Sequence, residues 1–147
     1  MQYDNAKQKP RVTPETSGAV YVDRQSIDLS GAPAYLNGDV IQVGVVPAGS
    51  KLIPHLTRLS FPVLDSNATP TGTYNVGTLV TPTALATGLT AGTAVTRNVG
   101  SLPDVAIGDP DVEVPIYLTL TAALATQAAA GKVQLDLAVR AWDHAVD

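Results

Sequence analysis

Cysteine is absent from the 147 residues, which excludes a disulfide framework, a thiolate zinc site and a cysteine nucleophile, and leaves the redox compartment unread. Charge is scarce too. Asp, Glu, Lys and Arg make up 15% of the chain, against a usual share of about 25%, so uncharged polar groups must cover much of its outside. With 45% hydrophobic residues it is not a disordered, solvating chain. Only nine Lys and Arg are present and the net charge is −4, which argues against direct nucleic-acid binding, where affinity comes from cations neutralising phosphates. No apolar run approaches the roughly 18–20 residues of a membrane span. The stretch from Met1 to Thr16 carries Lys7, Lys9 and Arg11 with no hydrophobic signal-type segment after them, so a soluble chain with no secretion signal and no membrane partner is expected.

What is abundant points to β structure. There are 16 Thr, 18 Val and 20 Ala beside 12 Gly and 11 Pro, a mixture of strand and turn formers. The length suits one domain. Residues 1–19 hold almost nothing apolar to bury and, with Pro10 and Pro14, read as an extended N-terminal arm; residues 20–147 read as a single domain. Val20-Tyr21-Val22 offers a short strand. Asn37-Gly38 between Ala34-Tyr35-Leu36 and the β-branched run Val40–Val46 reads as a tight type I′ hairpin turn, whose two central residues need positive φ. The segment from Lys51 to Pro62 is interrupted by Pro54 and Pro62, which suit edges or bulges. Thr73–Val80 reads as a strand with Tyr74, Val76 and Leu79 inward, and residues 81–98 as a long loop or a short helix near Ala84–Ala86. Val112, Val114, Ile116, Leu118 and Leu120 alternate with polar neighbours, as do Val133, Leu135, Leu137 and Val139, two half-buried strands. Between them, Thr121–Ala130 reads as about two helical turns stopped at Gly131. The pattern predicts an all-β, antiparallel β-sandwich or jelly-roll-like fold, with a core that includes Val43, Val45, Leu56, Val76, Ile116, Leu118, Val133, Leu135, Leu137 and Val139.

Catalytic groups are few. His55 lies in a Pro-containing apolar run and His144 in the polar tail, with no ligand or triad partner at useful spacing. Asp104, Asp109, Asp111 and Glu113 form the one acidic group, but Gly108-Asp109-Pro110-Asp111 is turn chemistry first and lacks the EF-hand pattern. No Gly-rich phosphate cradle occurs. Asn67-Ala68-Thr69 has glycosylation spacing, read as an ordinary loop. The tyrosines are spread over separate strands and are read as core rather than as a sugar platform. No catalytic, metal or cofactor site is expected.

The run Asp39-Val40-Ile41-Gln42-Val43-Gly44-Val45-Val46-Pro47-Ala48-Gly49-Ser50-Lys51-Leu52, then Asn75-Val76-Gly77-Thr78-Leu79, then a small-residue segment at Thr121–Gly131 leading into the alternating strand Lys132–Trp142, resembles the small capsid decoration, or cement, proteins of tailed bacteriophages. The resemblance covers about residues 38–142 and rests on short motifs of common residues. It implies a β-sandwich that decorates the capsid exterior and stabilises it without catalysis, after synthesis in the host cytoplasm. It implies the major capsid protein as partner and a homotrimer as the bound form. The longer proline-bearing arm and the prolines at 54 and 62 depart from the family pattern.

Two rival readings are another virion module, of tail, neck or fibre, and a carbohydrate-binding or adhesive sandwich. The arm is the candidate partner-binding segment. Lys7, Lys9 and Arg11 give it positive charge in a negative chain, and Tyr3 offers an apolar anchor.

Overall fold

In a computed structural model, the chain is described over residues 20–31, 33–99, 106–129 and 131–141. The strands are β1 (Tyr21–Asp28), β2 (Val40–Val46), β3 (Ser50–Leu52), β4 (Arg58–Phe61), β5 (Thr73–Gly77), β6 (Ala86–Thr90), β7 (Val95–Asn98), β8 (Gly108–Asp109), β9 (Val114–Ala122) and β10 (Lys132–Ala141). They form two antiparallel sheets that curl into a half-barrel, the all-β architecture that the alternation predicts. One sheet has the order β2-β9-β5-β6; the other runs β7-β4-β10-β3-β8, with β1 along the opposite edge of β10.

The long apolar strands take the central positions. β10 is paired with β1 over Lys132–Val139 and on its other edge with β4 and then β3. Its inward residues Val133, Leu135, Leu137 and Val139 are fully buried against Ile116 and Leu118 of β9, Tyr74 and Val76 of β5, and Leu59 and Phe61 of β4. Tyr74 and Phe61 meet with ring centroids 5.4 Å apart, a tilted aromatic contact at the core centre.

Several local expectations are corrected. The turn at Asn37-Gly38 does not close a hairpin: the Asp39 N–H donates to the Leu36 carbonyl and the Gly38 N–H to Leu120, so the turn docks on β9 and feeds β2. Gly38 takes φ 89°, a left-handed value that glycine adopts without the steric cost of a Cβ. Val45 is only half-buried, because β2 bulges at Val43: Tyr117 lies opposite Gln42 and Ile116 opposite Gly44. The extra residue shifts the phase, so Gly44 and Val46 face inward. Leu56 is exposed on the 3-10 helix Pro54–Leu56, the only helical element among the described residues; Leu59 and Phe61 hold the core there. Leu79 is 65% exposed. Residues 81–98 contain β6 and β7 rather than a helix. The helix read over Thr121–Ala130 is absent where it is described: β9 runs on to Ala122, and residues 123–129 hold one isolated bridge, Asp65 to Gln127. Ala-rich propensity is weak against the chance to extend a central strand.

Candidate functional site

Side chains stand in for missing backbone partners at three places, and these set the shape of the surface. The first is the seam between the sheets, where β1 and β2 run side by side without pairing. Gln25 of β1 accepts from the Val45 N–H at 2.8 Å through Oε1, and through Nε2 donates to the Val45 carbonyl at 2.7 Å and the Asp23 carboxylate at 2.9 Å. One amide thus acts as a peptide rung. Gly44 makes room for it: a Cβ there would lie 2.6 Å from a Leu135 methyl and 3.0 Å from Gln25 Oε1.

The second is Asp65, 1% exposed. Its carboxylate accepts from the backbone N–H groups of Ala125 at 2.8 Å, Thr126 at 3.0 Å, Thr71 at 3.0 Å, Gly72 at 3.1 Å and Asn67 at 3.2 Å. Burial opposes ionisation, but the N–H donors of Ala125, Thr126, Thr71 and Gly72 outweigh it and hold the carboxyl far below the usual carboxylate range. This buried anion ties the loop after β4 to the segment after β9. The third is Gln127, which accepts from the Tyr35 N–H at 2.7 Å and donates to the Pro33 carbonyl at 2.8 Å. Beside it, Leu29, Tyr35, Val63, Leu64 and Leu124 line a crevice with a free volume of about 10 Å³, the room of about one water molecule. Burial there pushes the Tyr35 phenol up.

Of the sequence-predicted residues, Tyr3, Lys7, Lys9, Arg11 and His144 lie outside the described residues, as does Asp104. His55 is exposed on the 3-10 helix. Asp109 accepts from the N–H groups of Asp111 and Val112, the turn chemistry its sequence suggests. Among the described residues, no group of three His, Asp, Glu or Cys is placed to hold a metal.

The outer face of the six-stranded sheet is a charge ladder. Asp136 stands between Arg24 and Arg58 in register, with Arg24 Nε 2.9 Å from its carboxylate, and Lys132 lies opposite Asp28. The four strands of the other sheet contain no charged residue. The sequence shows that charge is sparse; register is needed to show that it is segregated.

This architecture recurs in two solved structures. One is a chain of the cyanophage Pam1 capsid asymmetric unit, 24% identical, with a TM-score of 0.64 over 95% of this chain and 98% of that one. Another belongs to the capsid of Ralstonia phage GP4, 23% identical, with a TM-score of 0.65 over 92% and 94%. The fold is shared with phage capsid chains. No family model and no curated protein matches the sequence.

Proposed function

We propose that this protein is a non-enzymatic virion component that decorates a bacteriophage capsid and stabilises it by binding its outer surface. The observation that carries the reading is the fold match over more than nine-tenths of this chain and of two chains in phage capsids. A crevice with room for about one water molecule and the lack of a convergent catalytic cluster among the described residues fit a structural role. The partner is the major capsid protein, bound by a homotrimer, since three modest contacts engaged together exceed one by about 10²–10⁴ in avidity. Residues 1–19 act as an extended tether, with Tyr3 as anchor and Lys7, Lys9 and Arg11 against an acidic groove.

Fractionation of purified virions tests this reading. The protein is expected on heads, at a copy number comparable with the capsid lattice, and particles lacking it are expected to rupture at lower temperature. Finding it on tails alone, or unchanged rupture, overturns the reading. Deletion of residues 1–19 is expected to leave thermal unfolding of the domain nearly unchanged and to weaken capsid attachment, most of all at low salt, where the cations contribute.

A further inference from the structure

The four-stranded sheet lacks what a solvated sheet normally carries. Outward residues of β2, β9, β5 and β6 form rows in register: Gln42 beside Tyr117 and Gly77, and Val40 beside Thr119 and Asn75. Thr73 and Thr121 hydroxyls meet at 2.7 Å in the next row. Both terminal strands of the sheet are free of charge: Val40–Val46, which β1 covers at the Gln25–Val45 seam, and Ala86–Thr90. Proteins commonly guard exposed edges with Lys or inward charge to block association, and this sheet has neither, whereas the opposite sheet holds every Lys and Arg among the described residues.

An apolar tip stands on this face. Gly77 is buried under the next loop, where an added Cβ would collide with the backbone of Thr81 and Pro82. The turn is fixed by hydrogen bonds. The Thr78 N–H donates to the Thr81 carbonyl at 3.0 Å, the Thr81 N–H to Thr78 Oγ1 at 3.0 Å, and the Ala84 N–H to the Thr81 carbonyl at 3.1 Å. It presents Leu79 at 65% and Val80 at 93% exposure. Two apolar side chains held out on a hydrogen-bonded turn cost little further ordering entropy when they insert into a partner.

We infer that the outer face of the four-stranded sheet, with the Leu79-Val80 tip, is the surface that docks on the shell, and that its partner is an uncharged, partly apolar patch formed by assembled capsid subunits. This rests on the proposed decoration role. The argument is charge matching. A charged partner set against this face would lose its hydration with no counter-charge to replace it, whereas an uncharged face carrying Tyr117 shares the depletion of charge that marks an interface core. Contact through this face is therefore insensitive to salt, unlike any contact through the cationic arm.

The test is co-sedimentation of full-length protein with capsids stripped of it, at low salt and at about 0.5 M salt, where exposed charges are screened beyond a few ångströms. Gln42→Lys and Val80→Lys place a charge on exposed positions and should leave the thermal melt unchanged; Arg58→Gln and Arg140→Gln remove a charge from exposed positions of the opposite face and should do the same. The expected result is that wild type and both Arg variants still bind at high salt while each Lys variant loses affinity at least tenfold. Lys variants that bind like wild type, or Arg variants that alone lose binding, overturn the docking face and leave the decoration role standing. Lys variants that dissociate a solution oligomer yet still bind capsids make the face a contact between copies and also overturn it. Wild type that binds no capsid at either salt overturns the decoration role, and the docking face with it.

Discussion

Asp65 and Tyr74 show opposite fates for a buried polar side chain. Asp65 satisfies five backbone donors, and its folded carboxyl is held far below its unfolded value by those N–H groups despite burial. Its contribution to stability is fully present above the unfolded value near pH 4 and is lost as pH falls from there toward the lower folded value. Asp65→Asn offers an NH2 donor to donors, so the variant is expected to melt several degrees lower at pH 7 and to show a flatter decline below about pH 4. Thermal unfolding followed against pH checks both. Tyr74 is the reverse case: its hydroxyl is buried with no hydrogen-bond partner among the described residues, and burial pushes the phenol up. Removing an unsatisfied group relieves its desolvation cost, so Tyr74→Phe is expected to be neutral or to stabilise by up to about 1 kcal/mol in a denaturant titration. A destabilised Phe variant would show that the hydroxyl has a partner in solution.

The β2 bulge is the element on which the two sheets depend for close approach. With Gly44 facing Leu135, a methyl group at 44 must displace the Leu135 side chain or the Gln25 amide, so Gly44→Ala is expected to cost about 1–3 kcal/mol, as overpacking does. Gln25→Leu leaves the Val45 N–H and carbonyl without their partner. The expected outcome is faster amide exchange at Val45 with exchange at Leu118 and Leu135 unchanged, since those strands keep their ladders; equal acceleration everywhere would mean the seam is not a separate unit. The sequence displays the β-branched run but not its phase slip, because alternation carries no mark of an extra residue. Nothing local tells Gln25 from a solvated glutamine either.

At the scale of the whole molecule, the core lies between two sheets whose strands differ in kind, one set laddered with charged residues and one without charge. Leu135 lies at the middle of the buried interior at 0% exposure. Leu135→Ala is expected to cost about 2–5 kcal/mol through lost burial and residual cavity, and Leu135→Asp to unfold the domain, since an unpaired buried charge costs on the order of the whole stability. Chemical denaturation separates the two: a cooperative but weakened transition for Ala, and no native baseline for Asp.

By itself the sequence determined the fold class. Period-two patterning in Val114–Leu120 and Val133–Val139 buries its apolar face as half-covered strands, and the frequent Gly, Pro and Thr around it supply the turns of an antiparallel all-β fold. It also determined that the surface would be poor in charge, since composition does not depend on the fold. The tertiary structure alone decided where the few charges go, because register, not spacing, sets Asp136 between Arg24 and Arg58 and leaves the other sheet bare. It alone turned Thr121 and Ala122 into strand, because the side of β5 that faces β9 offers backbone partners as far as Thr73, which a short Ala-rich helix could not match. It alone brought Asp65 to Ala125 and Thr126, sixty residues away, since a carboxylate's partners are chosen by which loops the packed sheets bring together and no local pattern encodes that meeting.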